Sequence, residues 1–457
     1  LAIQFLSESF VTCFIAFVLA VIFVPICLPV FNSLALKSLS VKNLLSSDLV
    51  LGYIALFVTT GLLAGLYPAF ILSGFNPVKT LYGRFRFSGK NTLQRVLVIV
   101  QFSLAAFLIM ATITIFSQFD FLTNYNLGYD DKDLVMVSKQ PYTPNQLKVF
   151  KDALLSNSNI TGVAPKNNGE WRTVAKVNAE QIIKFQYNII DENYLPLLKI
   201  PMVTGRGFSA GFTTEGTNSV LVNEAFVKEA GWKDPIGQSV NFWFRNEKYQ
   251  VVGVVKDHHF SSLTDPITPQ LFVYKPNENF GKVFIKINGN NKQAALAHIE
   301  KTFKSQFPDF TYSYHFKETE NQEQYELEAR WNKIVFVASV LTVLISCIGL
   351  LGLATLSSER RAKEIGVRKV LGASVASITK LLSVNFLVLV FVSFVFAVPA
   401  AYFASGQWLS TYAYHIDFSW WIVALTLLIT VCISLVTVCT QAIRTAVANP
   451  VKSLRTE

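Results

Sequence analysis

The sequence predicts an α-helical polytopic membrane protein with six transmembrane helices and one inserted α+β domain outside the membrane. Of its 457 residues, 51% are hydrophobic and only 15% are charged, whereas soluble domains carry roughly 25% charged residues. Crossing a bilayer as a helix takes about 20 apolar residues. The chain has six charge-free apolar runs of that length, at residues 10–30, 49–72, 96–116, 334–356, 381–403 and 418–440.

The loops between these runs predict the orientation of the chain. Lys and Arg accumulate in the cytoplasmic loops of membrane proteins. Segments 73–95, 357–380 and 441–457 are rich in these residues, whereas the loop between the fifth and sixth runs has none. Both chain ends are therefore predicted to be cytoplasmic, and residues 117–333 periplasmic or extracytoplasmic.

The same distribution bears on partners. Basic residues cluster at the membrane ends of the spans, with no basic segment interleaved with aromatic residues, so the net charge of +10 predicts a lipid bilayer partner and no nucleic acid. Four tryptophans mark the predicted outer ends of spans, as an interfacial aromatic belt requires. They are Trp331, Trp408, Trp420 and Trp421.

Residues 117–333 have the pattern of a folded α+β domain. Short apolar runs predict strands at 133–138, 219–222, 249–255, 270–274 and 282–287. Helical periodicity appears at 145–156, 224–229 and 292–307. Polar helical stalks at 117–125 and 319–333 are predicted to join this domain to the neighbouring spans. They either carry motion between domain and spans or are plain connectors.

An internal repeat relates the two ends of the chain. The sequence Asn-Pro-Val-Lys at 76–79, after the second run, recurs at 449–452 after the sixth, and residues 5–10 resemble 381–386. Spans one and two thus repeat as spans five and six, as in parallel repeats of transporters. The repeat leads us to expect that the chain is an N-terminally truncated piece of a longer protein with a second, upstream copy of the outer domain and the basic loop.

Loop 357–379 is the most densely charged connection between spans. It carries five cations and two carboxylates, namely Glu359, Arg360, Arg361, Lys363, Glu364, Arg368 and Lys369. One interpretation is that these cations only fix topology and contact anionic headgroups. The other is that a short amphipathic helix lies here and docks onto a cytoplasmic partner.

Several of these segments resemble a known family. The sequence Glu-Ile-Gly-Val-Arg-Lys-Val-Leu-Gly-Ala at 364–373 resembles the signature loop of FtsX-like permeases, membrane subunits of ABC transporters of the MacB and lipoprotein-releasing type. The outer domain resembles the MacB-type periplasmic core domain at residues 205–208, 222–225, 234–237 and 252–257. The layout resembles eight-span permeases with two such domains.

The resemblance implies a domain organisation. Residues 1–95 would be the end of a first FtsX-like half with a cytoplasmic linker, 96–116 a transmembrane helix, and 117–333 the MacB-like periplasmic core domain with its stalks. Residues 334–457 would form a second FtsX-like domain in a bacterial inner membrane.

The resemblance also implies a function. The chain would be a permease subunit that passes ATP-driven motion of a separate ABC ATPase to the periplasmic domain, exporting a peptide, lipoprotein, lipid or drug. A periplasmic or outer-membrane partner would fit this role. The ATPase contact would be formed by Glu359, Arg360, Arg361, Lys363, Glu364, Arg368 and Lys369, with Gly366 and Gly372 allowing tight turns or close approach. The alternative is a regulator of the cell-division FtsX type that controls a cell-wall hydrolase; a receptor without an ATPase is weaker.

Motifs for other chemistry are missing from the sequence. It has no phosphate-binding loop, so we expect no enzyme activity, no cofactor and no catalytic residues, and ATP hydrolysis in a partner subunit. The apolar runs contain no Asp, Glu, Lys, Arg or His, which argues against ion-coupled transport. The sequence Asp257-His258-His259 suggests a metal site, but no second ligand cluster accompanies it. A structural or turn role is the favoured interpretation; family members often have Phe in place of His258.

Overall fold

The computed structural model describes residues 2–35, 37–73, 92–167, 171–178, 180–209, 211, 218–275, 277–360 and 362–447. The chain divides into two compact units. The membrane unit comprises Leu1–Phe116, Glu328–Ser405 and Phe418–Glu457, and the ectodomain comprises Ser117–Leu327 and Gly406–Asp417. Both Asn-Pro-Val-Lys repeats of the sequence analysis lie outside the described residues.

The helices and strands are numbered in chain order. The helices are α1 (Ala2–Ala35), α2 (Val41–Leu44), α3 (Ser47–Ser73), α4 (Thr92–Asn124), α5 (Pro144–Leu155), α6 (Tyr194–Leu197), α7 (Glu224–Ala230), α8 (Lys292–Gln306), α9 (Lys317–Glu323), α10 (Glu326–Arg360), α11 (Ala362–Val370), α12 (Val375–Leu409) and α13 (Trp420–Val447). The strands are β1 (Leu134–Tyr142), β2 (Ile160–Lys166), β3 (Trp171–Val177), β4 (Gln181–Ile190), β5 (Met202–Gly205), β6 (Ser219–Asn223), β7 (Ser239–Phe242), β8 (Glu247–Val255), β9 (Gln270–Tyr274), β10 (Phe280–Ile287) and β11 (Tyr314–Phe316).

Six of the described helices are long and apolar enough to cross a membrane: α1, α3, α4, α10, α12 and α13. Five of them contain one of the predicted runs in full and α13 covers the sixth from Trp420 onward, so the predicted fold class is confirmed. The apolar side chains on their outward faces remain exposed, for example Val395 and Phe396 of α12. Such faces suit contact with lipid tails.

Helices α1 and α3 pack together through two glycines one turn apart. Gly61 and Gly65 of α3 lie against Phe10 and Leu6 of α1, and a Cβ atom on Gly61 would come within 2.7 Å of the Phe10 ring. Small residues at this spacing let membrane helices approach closely. The Phe57 ring then packs edge-on against Phe10, with ring centroids 5.7 Å apart.

Hydroxyl groups link α4 to two neighbouring helices of the membrane unit. The hydroxyls of Thr112 and Ser339 are hydrogen-bonded at 2.8 Å between α4 and α10. The Ser346 hydroxyl is shared between the carbonyls of Thr342 at 2.8 Å and Gln101 at 3.2 Å. The Ser103 hydroxyl is shared between the carbonyls of Ile99 at 2.7 Å and Ser393 on α12 at 3.0 Å. Hydrogen bonds between membrane helices fix their register where apolar packing alone is unspecific. These hydrogen bonds therefore connect α4 to α10 and to α12.

The first part of the ectodomain is an antiparallel sheet in the order β11-β1-β10-β2. Helices α5 and α8 follow β1 and β10 respectively, which makes this a ferredoxin-like split βαβ arrangement. Thr143 caps α5, accepting from the amide of Gln146, with Pro144 in the first turn. Phe150 and Phe303 bring the two helices together, with ring centroids 6.1 Å apart.

The second part is inserted between β2 and β10 and forms a closed ring of strands. The order is β4-β3-β7-β8-β6-β9, and β9 pairs back onto β4. Closure leaves no free sheet edge in the ring. The interior is filled by buried side chains from every strand, including Ala175, Phe185, Val222, Phe242, Val251 and Val273.

Strand β5 adds to β8 at a site where two glycines face each other. Gly205 pairs with Gly253, and Gly205 has a φ of +75°. A Cβ atom on Gly205 would overlap the Val252 carbonyl oxygen, and one on Gly253 would overlap the Arg206 carbonyl oxygen. Two of the motifs on which the family resemblance rests, 205–208 and 252–257, therefore meet at one place and require glycine for steric reasons.

Gly205→Ala is expected to lower the free energy of unfolding of the ectodomain by about 2 kcal/mol, because a side chain is strained at positive φ and meets backbone. Gly207→Ala is the matched control in the same motif, since a Cβ atom there would meet nothing within 4 Å. Thermal unfolding of the full chain in nanodiscs measures both. Equal midpoints for the two variants would contradict the steric requirement for glycine at position 205.

The connections to the membrane unit differ from each other. Helix α4 is continuous from Thr92 to Asn124. The second predicted stalk, 319–333, is not one helix, because α9 ends at Glu323 and α10 begins at Glu326. Tyr325 between them turns into a buried cluster with Leu122, Leu263 and Tyr412. Its hydroxyl accepts a hydrogen bond from the amide of Leu263 at 2.9 Å, which offsets the broken helix.

Candidate functional site

The loop between α10 and α12 contains a short amphipathic helix, α11. Its anchor is Ile365, only 4% exposed, which packs in one buried cluster with Ile378 of α12 and Ala442 of α13. On the other side of the helix Val367 is 49% exposed, and Leu371, which directly follows the helix, is 80% exposed. Helix α11 is therefore held to the membrane unit along one side and leaves the other side free in the described structure.

The charges of α11 are ordered along its axis. Glu364 lies in the first turn, and Arg368 and Lys369 lie in the last, the arrangement that the helix dipole favours. Arg368 forms an ion pair with Glu364 at 2.7 Å, one helical turn away, and both side chains are half-exposed. An exposed pair of this kind contributes under about 1 kcal/mol. It holds the guanidinium group beside Glu364 on the flank of the helix, three residues after the buried Ile365.

A tight turn ends α11 and begins α12. The amide of Gly372 donates to the carbonyl of Lys369 at 3.1 Å and that of Ala373 donates to Arg368 at 2.9 Å, a Schellman motif. Gly372 has a φ of +89°, as this motif requires. Ser374 then caps α12, its hydroxyl accepting from the amide of Ser377 at 3.2 Å. The orientation of α11 relative to α12 is thus fixed by backbone bonds.

The nine predicted contact residues are distributed over this loop. Glu359 and Arg360 end α10; Lys363, Glu364, Gly366, Arg368 and Lys369 belong to α11; Gly372 forms the turn. Arg361 lies outside the described residues. Gly366 is inside the helix and not at a turn.

Sequence reasoning missed the exposed apolar pair Val367 and Leu371. Leu371 follows the last residue of α11, and its amide donates to the Val367 carbonyl at 3.0 Å, so it comes one turn after Val367. The helical period could have indicated this pair, because residues two positions apart, such as Ile365 and Val367, lie on opposite sides of a helix. Apolar side chains flanked by charges are typical of the centre and rim of a protein interface.

The Asp257-His258-His259 sequence serves contacts inside the ectodomain. Asp257 accepts from the amide of Ala225 at 3.0 Å, and His258 Nδ1 lies 3.1 Å from the Lys256 carbonyl. The His259 ring packs edge-on against Tyr414, 4.5 Å between centroids. In the part of the chain that the structure describes, no group of three or more His, Cys, Asp or Glu could hold a metal.

Burial sets the protonation of these side chains. Burial raises the pKa of the half-buried Asp257 carboxyl, an effect that the Ala225 amide opposes. Burial lowers the pKa of His258 to about 4, and the nearby charge of Lys166 adds to the effect. At neutral pH, His258 is therefore an uncharged member of an aromatic cluster with Phe260 and Phe272.

Comparison with known proteins finds two matching families, one for the ectodomain and one for the C-terminal part of the membrane unit. Residues 105–302 match the MacB-like periplasmic core domain family. Residues 336–450 match the FtsX-like permease C-terminal family. No curated protein matches the chain.

Solved structures similar to the chain include two transporter domains. One is the periplasmic region of MacB from Actinobacillus actinomycetemcomitans, 17% identical, covering 44% of this chain and 96% of that one with a TM-score of 0.35. Another is the extracellular domain of the noncanonic ABC-type transporter YknZ from Gram-positive bacteria. It is 12% identical and covers 40% of this chain and 98% of that one, with a TM-score of 0.32.

The two family matches follow each other in the predicted order along a chain whose described residues include six helices that could span a membrane. They assign Ser117–Leu327 to the periplasmic side and give the chain a transport role of the ABC permease type, a family whose members work with an ABC ATPase. They do not favour the cell-wall regulator considered as the alternative. The chain belongs to the FtsX/MacB-type permeases.

Proposed function

We propose that this chain passes the ATP-driven motion of a separate ABC ATPase to its periplasmic domain and thereby exports a peptide, lipoprotein, lipid or drug. The observation that carries the proposal is α11, a helix fixed to two spans by Ile365 and by the turn at Gly372. Val367 is exposed on the side opposite to Ile365, Leu371 is exposed just after the helix, and Arg368 is half-exposed on its flank. In this mechanism both chain ends and α11 are cytoplasmic.

A docking helix can transmit motion only if it does not slide on its support. Ile365 is buried, and the backbone bonds of Gly372 and Ala373 leave no flexible linker before α12. A displacement of α11 by a partner is therefore transferred to α12 and α13 directly. Residues of α12 and α4 share one buried cluster, and this packing, with the Ser103 hydroxyl 3.0 Å from the Ser393 carbonyl, would pass the displacement from α12 to α4.

In the proposed mechanism, helix α4 carries the motion from the membrane unit into the ectodomain. It is one helix of 33 residues whose last turns, from Ser117, belong to the ectodomain. Within the ectodomain Gln118 is held by two bonds to the segment Gly406–Asp417, since it donates to the Tyr414 carbonyl at 3.1 Å and accepts from the Ile416 amide at 2.9 Å. The end of α4 is therefore fastened to the domain that it would move.

ATP hydrolysis itself is assigned to the partner subunit, because the sequence contains no phosphate-binding loop. The chain acts as a mechanical subunit without a cofactor or a catalytic residue of its own. The ectodomain would contact the cargo and a periplasmic or outer-membrane partner.

Hydrogen exchange tests the proposal. The full chain is reconstituted in nanodiscs with its cognate ABC ATPase, and amide exchange is compared with and without ATP and vanadate. We expect the exchange of residues 117–124 and 317–325 to change when ATP is trapped. The permease alone should show no change, because it has no ATP site. A trapped ATPase that leaves ectodomain exchange unaltered would refute the mechanism.

A further inference from the structure

Four neighbouring strands of the closed ring, in the order β4-β3-β7-β8, form a basic face on its outside. Each of these strands has a side chain buried inside the ring, namely Ile183, Ala175, Phe242 and Tyr249. Successive side chains of a strand point to opposite sides, so the residues next to these point outward. The outward cations on three of the strands are Arg172, Lys176, Lys184 and Lys248.

Arg172 and Lys184 are diagonal neighbours on adjacent strands. Lys184 on β4 pairs with Val174 on β3, two residues from Arg172. Residues placed in this way lie roughly 7–8 Å apart. Both side chains are exposed, and both line one cavity of ≈ 380 Å³. The volume lies within the range of about 300–1,000 Å³ typical of ligand sites.

The charge balance of the basic face favours an anion. Three carboxylates border the four cations, namely Glu180, Glu229 and Asp265. Glu180 forms an ion pair with Lys176 at 2.7 Å. Within the described part of the chain, Arg172, Lys184 and Lys248 form no ion pair with a carboxylate. These three cations are therefore available to an anionic partner.

Apolar side chains lie among these cations. Ile182 is 54% exposed and pairs directly with Lys176 across the two strands. Trp243 is 42% exposed, and the Lys176 ammonium group lies 5.4 Å from the centroid of its ring. Exposed apolar and aromatic side chains with cations at their rim are typical of protein interfaces. A phosphate or carbohydrate polymer has no aliphatic side chain to offer Ile182, whereas a polypeptide has.

The spacing of Arg172 and Lys184 also matches an extended polypeptide. An extended chain rises about 3.3 Å per residue, so side chains two residues apart lie about 6.6 Å apart on one side. Two acidic residues at this spacing would face the two cations. Gln186 lines the same cavity, and its amide can both donate to and accept from peptide groups.

We infer that the basic face docks an extended acidic segment of a partner polypeptide. Carboxylates of the segment face Arg172 and Lys184, and an apolar side chain contacts Ile182. The basic face belongs to the ectodomain and contains no residue of α11. Binding to it is measured without the ATPase, so the result is independent of the proposed coupling.

Calorimetry with the full chain in nanodiscs of neutral lipid tests this inference at low ionic strength, where charges are weakly screened. The probe is the blocked peptide acetyl-Leu-Ser-Glu-Ser-Glu-amide, and an analogue with glutamine in place of both glutamates removes only the charges. We expect saturable binding of the acidic peptide and affinity at least about tenfold lower for the analogue, the size of one charge-assisted hydrogen bond. Equal binding of the two peptides, or no binding at millimolar concentration, would overturn the inference.

Charge variants locate the site. Arg172→Gln and Lys184→Gln should each weaken binding of the acidic peptide about tenfold. Lys301→Gln is the matched control, because it removes an exposed cation of α8 outside the basic face, and it should bind like the wild type. Unaltered binding in Lys184→Gln would contradict the assignment of the site.

Ile182→Ser distinguishes a peptide from a simple anion. The variant should weaken binding of the acidic peptide about fivefold, because the leucine of the probe loses its apolar contact. Tripolyphosphate is the second probe, and wild-type binding of it as tight as that of the peptide would show a general anion site and exclude the polypeptide.

Discussion

The double variant Arg368→Glu/Lys369→Glu is expected to abolish the stimulation of the cognate ATPase by this chain, lowering it at least about tenfold. Both residues lie in the last turn of α11, where two carboxylates would oppose the helix dipole. Arg368→Glu would also place a carboxylate one turn from Glu364, replacing a 2.7 Å ion pair by repulsion. The last turn of α11 would change from basic to acidic, and a partner surface complementary to it would be repelled.

Co-purification and ATP hydrolysis in nanodiscs measure this effect. Lys301→Glu/Lys304→Glu on α8 is the matched control, because it makes the same change of charge on exposed residues of the ectodomain. The control should bind and stimulate the ATPase like the wild type. If the α11 variant also did so, its cations would serve only to orient the chain in the membrane.

His258→Phe is expected to reduce the loss of ectodomain stability between pH 6.5 and pH 4. The buried His258 has a pKa of about 4, against 6.5 for an ordinary histidine. Between pH 6.5 and pH 4, His258 becomes protonated in the unfolded chain but stays neutral in the folded chain. Stability is therefore full above pH 6.5 and falls as the pH drops towards 4. At about 1.36 kcal/mol per pH unit the loss across this window is about 3 kcal/mol.

Phenylalanine would fit the site because His258 is surrounded by Tyr129, Phe260 and Phe272. The variant loses the hydrogen bond to the Lys256 carbonyl, which costs about 1 kcal/mol at every pH. Thermal unfolding of both proteins at pH 7 and pH 5 should thus show the wild type losing more stability than the variant. Parallel losses in the two proteins would show that other groups cause the acid sensitivity.

The sequence predicted the elements whose pattern is local. Spans are recognised from unbroken apolar runs, and β9 was predicted with its observed bounds because it ends in three strongly β-forming residues, Phe272, Val273 and Tyr274. Strand β2 was missed since Gly162 and Pro165 interrupt it. Strands β3 and β4 were missed because basic residues such as Lys176 and Lys184 occupy their exposed face. Ring closure by β4 and β9 is non-local and has no sequence pattern.

The candidate sites likewise combine local features, which the sequence predicts, with long-range contacts, which it does not. The charges of loop 357–379 are visible in the sequence, but the anchoring of Ile365 depends on Ile378 and Ala442, which come from two later helices. In the ectodomain, the hydrogen bond between Asn321 and Tyr129 joins residues that are 192 positions apart in the chain. Periodicity within one segment cannot indicate contacts of this kind.

The most direct test of the coupling role of α11 compares hydrogen exchange in wild-type and Arg368→Glu/Lys369→Glu complexes that have been cross-linked to the ATPase, so that association is equal. With ATP and vanadate, exchange of residues 317–323 in α9 should change in the wild type and stay unchanged in the variant. An equal change in both complexes would mean that ATP-driven motion reaches the ectodomain without α11, and would contradict the coupling role of this helix.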